Sequence, residues 1–166
     1  VEYWYGSGSS TISSMSYTGT YSLSITIPLA STSTLHYLFE ASDAASNTAQ
    51  TSQKDVTILD NDKPMLSADT TPISGTTGES FVFGISASDN IGVSSVYVEY
   101  WFGTGSHTNV SMTGAGTYSY STSVPSASAD PLHYIFHASD AAGNWDKTLQ
   151  KDVTIYDNDK PAFGTD

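Results

Sequence analysis

Apolar and polar residues alternate along most of this chain, and the alternation predicts β-strands. In two of the clearest stretches, 80–88 and 132–138, the alternate residues predicted to face inward are Phe81, Phe83, Ile85, Ala87, Tyr134, Phe136 and Ala138. A period of two residues places one face of a strand in a core and the other face in water. No run has the spacing of an amphipathic helix, so we predict an all-β fold.

The second half of the chain contains seven predicted strands, separated by turns rich in Gly, Pro, Asn and Asp. They are 65–73, 80–88, 94–102, 109–112, 117–124, 132–138 and 149–156. Short strands with turns at regular spacing are typical of a β-sandwich. On the third strand the alternation turns Val98 and Tyr100 inward and Trp101 outward.

A tandem repeat organises the chain. The stretch Val1-Glu-Tyr-Trp-Tyr-Gly6 returns 97 positions later as Val98-Glu-Tyr-Trp-Phe-Gly103. The same interval relates Asp60-Asn-Asp-Lys-Pro64 to Asp157-Asn-Asp-Lys-Pro161 without a gap. A repeat of 97 residues has about the length of one sandwich domain.

The repeat predicts a partial sandwich at 1–63, a complete sandwich at 64–160, and the start of a further repeat or a tail at 161–166. The first copy lacks counterparts of residues 65–97, so it lacks its opening strands. Such a domain exposes core positions and unpaired strand edges. Either the chain is a window onto a longer array, or a neighbouring chain supplies the strands. We favour the window, because the short tail replaces at most one strand.

Four motifs carry a family resemblance: Thr76-Thr-Gly-Glu79, Ala87-Ser-Asp-Asn-Ile-Gly-Val93, Val96-Tyr-Val-Glu-Tyr100 and Ala138-Ser-Asp-Ala-Ala-Gly-Asn144. They resemble immunoglobulin-like or fibronectin-type-III-like repeats of large prokaryotic, especially archaeal, surface proteins. The resemblance implies tandem seven-stranded Greek-key sandwiches with a surface, adhesive or scaffold role and no reaction. It also implies that Tyr37 and Tyr134 are corner tyrosines bonded to the backbone.

The composition excludes several kinds of partner and site. The formal charge is −12 over 166 residues, and an acidic surface repels nucleic acid and anionic lipid. The chain has no cysteine, which excludes disulfides, thiolate zinc sites and cysteine nucleophiles. We also see no membrane-spanning run and no catalytic motif, so we expect neither membrane insertion by this segment nor an enzyme.

Acidic and amide side chains gather in loops that a sandwich brings to one pole. The predicted calcium ligands between the two modules are Asp60, Asp62, Asp89, Asn90, Asp140 and Asn144. Ca²⁺ takes about six to eight oxygen ligands of this kind. The alternative is that these residues are ordinary turn formers, because Asp and Asn bond their own backbone in turns.

Outward residues offer further candidates. Trp4 and Trp101 repeat at equivalent positions, and we predict either a lateral contact for assembly or a surface that stacks on sugars. The alternatives are that these side chains simply cover the sheet, or that the strand is bulged and Trp belongs to the core. His133 and His137 share the outward side of one strand, where a polar surface is favoured over a metal site. Asn109-Val-Ser111 is a glycosylation sequon.

Together these patterns predict a structural repeat module of an extracellular or cell-surface protein, such as a filament, sheath, stalk or surface layer. Its partners would be copies of itself, other surface proteins or glycans. The alternative is an adhesin or an accessory carbohydrate-binding module of a secreted protein. In either case function lies in the surface that each sandwich presents, because short acidic linkers and repetition fix how that surface recurs.

Overall fold

A computed structural model describes residues 1–161 and residue 163 of the chain. They form two compact units, Val1–Asp60 and a second that begins at Asn61. Every regular element among these residues is a β-strand, which confirms the all-β prediction. The described part of the chain holds no helix that would reach across a lipid bilayer. The predicted further repeat at 161–166 falls outside the described residues, apart from Pro161 and Phe163.

The second unit contains ten strands: β9 Met65–Ser67, β10 Ser74–Thr76, β11 Ser80–Ser88, β12 Val93–Phe102, β13 Thr108–Ser111, β14 Thr113–Ala115, β15 Thr117–Ser123, β16 Leu132–Asp140, β17 Trp145–Lys147 and β18 Lys151–Tyr156. One sheet has the order β10-β18-β16-β12-β13, with β17 also paired to β16. The other has the order β14-β15-β11-β9. The arrangement is sandwich-like, and side chains from both sheets form its core.

Alternate residues of the strands fill this core, as the sequence pattern predicts. Phe83 of β11 and Phe136 of β16 are both 0% exposed. Phe83 lies centrally, with its ring centroid 5.3 Å from that of Tyr100 and 5.5 Å from that of Tyr134. Aromatic rings at such distances add to the stability gained from burying their area.

The strand predicted at 65–73 is wrong as one element, because the structure divides it. β9 pairs antiparallel with β11 in one sheet, whereas β10 pairs parallel with β18 in the other. Between them Ala68 adopts φ +29°, which leaves the extended conformation. Asp69 Oδ1 then accepts a 2.9 Å hydrogen bond from the Thr71 N–H, forming a turn that carries the chain across the core.

The first unit contains eight shorter strands: β1 Glu2–Tyr5, β2 Thr11–Ile12, β3 Ser16–Tyr17, β4 Tyr21–Ser22, β5 Leu35–Leu38, β6 Glu40–Ser42, β7 Thr48–Gln50 and β8 Lys54–Val56. Four of them form a sheet in the order β2-β1-β5-β8. The remaining four form two hairpins, β3 with β4 and β6 with β7.

This sheet reproduces β13-β12-β16-β18 of the second unit, residue for residue. Tyr3 pairs with Tyr37 just as Tyr100 pairs with Tyr134. The β6–β7 hairpin repeats the pairing of β16 with β17 in the same way. The interval of 97 residues in sequence is therefore also an interval in strand register.

Strands of the first unit are short where their partners in the second unit come from residues 65–92. β18 runs to Tyr156 because its last residues pair with β10, whereas its counterpart β8 ends at Val56. β15 pairs with β11 over seven residues, whereas its counterpart β4 spans only Tyr21–Ser22. Without a neighbour to accept its hydrogen bonds, the backbone does not continue as a strand.

Candidate functional site

The outer face of the β12–β16 sheet carries a histidine cluster centred on Trp101. The Trp101 and His107 rings stack with centroids 3.8 Å apart and planes 5° from parallel. Glu99 accepts from both sides, with Oε1 2.6 Å from His107 Nδ1 and Oε2 3.1 Å from His137 Nε2. Trp101 is consequently only 8% exposed, although it lies on the outward face.

The first unit repeats half of this cluster around Trp4. The Trp4 ring lies 5.4 Å from the ring of His36, as the Trp101 ring does from the ring of His133. His36 Nδ1 lies 2.7 Å from Asp55 Oδ1, and Gln53 Nε2 donates to the same oxygen at 2.8 Å. We call Trp4, His36, Gln53 and Asp55 the Trp4 cluster.

The two tryptophans differ in what covers them. His107 stacks on Trp101, but the position 97 residues earlier is Ser10, which has no ring. Trp4 remains half-buried. The Trp4 cluster thus presents an aromatic ring beside a carboxylate and an amide, a combination that offers both an apolar surface and hydrogen-bonding groups.

His133 and His137 both point to carboxylates on neighbouring strands rather than to each other. His133 Nδ1 lies 2.7 Å from Asp152 Oδ1, and Gln150 supports that carboxylate at 3.0 Å. The hydrogen bond from Gln150, and then that from His133, lowers the pKa of Asp152. The pair therefore belongs to a polar surface, the interpretation that the sequence favoured.

The loops after β11 and β16 bring two predicted calcium ligands together. One carboxylate oxygen of Asp89 and one of Asp140 lie within 4.8 Å of each other. Asp89 Oδ1 accepts from the N–H groups of Ile91 and Gly92, at 3.0 and 2.8 Å. Among the described residues Asp89 Oδ2 is buried without a hydrogen-bond donor.

Asp140 is held more completely than Asp89. Its Oδ1 accepts from the N–H groups of Gly143 and Asn144 at 2.7 and 2.8 Å, and its Oδ2 accepts from Asn144 Nδ2 at 2.7 Å. Desolvation by burial raises its pKa, but hydrogen bonds led by that from the Asn144 side chain outweigh this and lower the pKa overall. The carboxylate is therefore ionised at neutral pH, as a cation ligand must be.

The other predicted site residues are placed as follows. Asn90 Nδ2 donates to Asp62 Oδ2 at 3.2 Å, so these two lie together in the second unit. Asp60 is the last residue of the first unit and is half-buried. Asn109 is exposed on β13, the edge strand of its sheet. Calcium binding and glycosylation stay predictions.

The sequence did not single out a partly buried ionic cluster formed by Asp69, Tyr134 and the exposed Lys151. Asp69 Oδ2 accepts from the Tyr134 hydroxyl at 2.8 Å and from Lys151 Nζ at 2.7 Å. The predicted bond from Tyr134 to the backbone is thus wrong, because the turn after β9 places a carboxylate closer. Only the fold brings these three residues together, so their spacing in the sequence does not predict the cluster.

No family model and no curated protein matches this chain. Among solved structures, it is similar to the crystal structure of a bromine derivative of BhCBM56, a carbohydrate-binding module. The two are 22% identical with a TM-score of 0.41, over 52% of this chain and 90% of that chain. A likeness at this level carries no argument about what this chain binds. Membership of an immunoglobulin-like family stays a prediction.

Proposed function

We propose that this chain is a structural repeat module of an extracellular or cell-surface protein. The observation that carries the proposal is the reproduction of one four-stranded sheet, in the same register, at an interval of 97 residues. Repeats of this kind present one surface at regular spacing and extend the reach of a chain. Copies of the module or other surface proteins are the partners that suit such a role.

Charge and surface composition support this role. The formal charge of −12 keeps the modules soluble and mutually repelling at low ionic strength. Roughly three residues in ten are Ser or Thr, which leaves the outer faces polar. Lateral contact would then depend on the apolar side chains at those faces, such as the half-buried Trp4 in the repeated sheet of the first unit.

Imaging the purified chain at high concentration tests the proposal. We expect ordered filaments or sheets with a spacing of one or two sandwich lengths. Trp4→Ser should abolish them, whereas Trp101→Ser should have a smaller effect on assembly because His107 already covers Trp101. A chain that stays monomeric at every concentration, with both variants indistinguishable from it, contradicts a role in assembly.

The Trp4 cluster supports a second candidate function, recognition of a glycan. A half-buried indole can lie against the apolar face of a sugar ring, while Gln53 and Asp55 accept or donate hydrogen bonds to its hydroxyls. Binding sites commonly combine an apolar wall with a few polar groups in this way.

Calorimetric titration with soluble oligosaccharides tests this second candidate. We expect binding to be lost in Trp4→Ala and retained in Trp101→Ala, because the Trp101 ring is already stacked on His107. Equal binding by both variants would place any glycan site elsewhere. Absence of binding across neutral and acidic oligosaccharides would leave the structural role alone.

A further inference from the structure

The first unit lacks cover over side chains whose counterparts form the core of the second unit. Leu23, Ile27, Phe39 and Val56 are 38%, 38%, 38% and 42% exposed. The residues 97 positions later include Val124, Phe136 and Val153, which are 2%, 0% and 1% exposed. We call Leu23, Ile27, Phe39 and Val56 the open face.

In the second unit, residues 65–92 provide the cover. The inward side chains of β11, namely Phe81, Phe83, Ile85 and Ala87, share one core cluster with Val124, Phe136 and Val153. Phe83 alone packs near four rings from other strands, those of Tyr100, Tyr120, Tyr134 and Phe136. The first unit has Tyr3, Leu23, Tyr37 and Phe39 at the corresponding positions.

A charged side chain gives a second, independent correspondence between the two units. In the second unit Asp69 binds the hydroxyl of Tyr134 and the ammonium of Lys151. The first unit has Tyr37 and Lys54 at these positions, paired across the sheet in the same register. Among the described residues neither has a carboxylate partner. The unit therefore presents a cation and a phenol where a carboxylate would fit.

We propose that the first unit binds an extended polypeptide segment with the chemistry of residues 65–92, supplied from outside the two units described. The segment presents alternating apolar side chains like those of β11 to the open face and a carboxylate like that of Asp69 to Lys54. Its backbone pairs with residues 20–26, the counterpart of β15, so that a Phe83-like ring lies opposite Leu23. Strand addition of this kind takes affinity from backbone hydrogen bonds and specificity from alternate side chains.

The segment does not come from a second copy in its folded state. Residues 65–92 of every copy are already engaged in the core of their own second unit. Donating them would uncover one core to cover another, with no net burial of apolar area. The exchange would also break the ion pair between Asp69 and Lys151 of the donating copy in order to form the corresponding pair with Lys54.

The test uses the intact 166-residue chain and a synthetic peptide of residues 65–92. We expect saturable binding, with amide resonance shifts and slower hydrogen exchange confined to residues 20–27, Phe39 and 54–59. A peptide carrying Phe83→Ala should bind about tenfold more weakly or worse, since a large core side chain is lost. A chain with Lys54→Glu should lose affinity for the unchanged peptide and regain it for a peptide with Asp69→Lys.

A fusion protein provides a second test in case the free peptide binds slowly or is insoluble. Residues 65–97 joined directly ahead of Val1 restore the order in which Tyr97 precedes Val98. Protection of the Phe39 amide and loss of solvent access at Leu23 in this fusion support the proposal. Failure of both the peptide and the fusion to protect the open face overturns it. So does concentration-dependent self-association that protects the open face without peptide, because a second copy would then be the occupant.

Discussion

The hydroxyl of Tyr134 donates a 2.8 Å hydrogen bond to Oδ2 of Asp69, 65 residues earlier in the chain. Desolvation by burial raises the pKa of Tyr134, and the neighbouring Asp69 raises it further, so the phenol stays protonated as a donor. Lys151 Nζ donates to the same oxygen at 2.7 Å. This relationship ties the turn after β9 to the opposite sheet, and it exists in only one of the two units described.

Tyr134→Phe should therefore destabilise the second unit. The variant removes a hydrogen bond to a charged, largely buried carboxylate, a loss of about 1–2 kcal/mol. For a unit of this size the melting midpoint should fall by about 5–10 °C. Thermal unfolding followed by near-ultraviolet circular dichroism measures this shift.

Tyr37→Phe is the matched control, because Tyr37 occupies the same register but has no carboxylate partner among the described residues. We expect its melting midpoint to stay within about 1–2 °C of the parent chain, as for other substitutions that break no named interaction. Equal shifts in the two variants would mean that the Asp69 bond contributes nothing specific.

Acid should weaken the second unit through Asp69. Desolvation by burial raises its pKa, but donors led by Lys151 and Thr71 outweigh this, so the folded-state pKa lies below the ordinary value of 3.8. A lowered folded-state pKa means that the stability is present above pH 3.8 and is lost as pH falls through the folded-state value. Asp69→Asn should therefore be less stable than the parent at pH 7.

The stability gap between the parent chain and Asp69→Asn should narrow as pH falls below about 4. Urea unfolding at pH 7, 4 and 2.5 gives the gap at each pH. The Asp146→Asn chain serves as a control, since Asp146 is exposed on β17 of the same unit. A gap that is constant across this range would show that the Asp69 charge does not contribute.

His107→Ala should expose Trp101. The imidazole covers one face of the indole at 3.8 Å, so its removal should shift Trp101 emission to longer wavelength and raise acrylamide quenching. The reciprocal substitution Ser10→His places a ring at the matching position and should protect Trp4. Emission unchanged in both variants would contradict the covering role of His107.

Calcium should stabilise the second unit if Asp89 and Asp140 serve as ligands. A bound ligand raises unfolding free energy by about 2.7 kcal/mol at 100 times its Kd. Asp89→Asn retains the oxygen that accepts from Ile91 and Gly92 but removes the charge, so it should abolish the calcium-dependent rise in melting temperature. Asp43→Asn alters the exposed turn of the first unit that corresponds to the turn of Asp140, and it should leave the rise intact. No rise with the parent chain would rule the site out.

Much of the second unit could be predicted from its alternation alone. Residues 80–88 form a strand with the expected inward face, because the alternate side chains of Phe81, Phe83, Ile85 and Ala87 are all buried. Division of the strand at 65–73 could not be predicted, since it depends on the turn at Ala68 and Asp69 and on the distant partner β18. Alternation indicates which face of a strand is buried, whereas only the fold determines which strand it pairs with.

The outward placement of Trp101 was predicted, but its burial on that face beneath a histidine ring was not. The sequence assigns Trp101 to the solvent side of β12, and the structure then covers it with a ring from the loop before β13. His107 lies six residues away, beyond a turn, and carries no periodic signal. Alternation does not predict contacts between side chains that meet across a turn or between sheets, such as His107 with Trp101 or Asp69 with Tyr134.

Amide hydrogen exchange at Phe39 and Phe136 tests the central claim most directly, because the two residues hold the same place in the two copies of one sheet. Both backbone N–H groups bond to a threonine hydroxyl, Phe39 at 2.9 Å and Phe136 at 3.0 Å, so their local hydrogen bonds match. We predict that the Phe136 amide exchanges only on global opening of its unit, and that Phe39 exchanges by local opening at least about 100-fold faster. Equal protection at the two positions would show that the first unit is as well covered as the second, and would contradict the account.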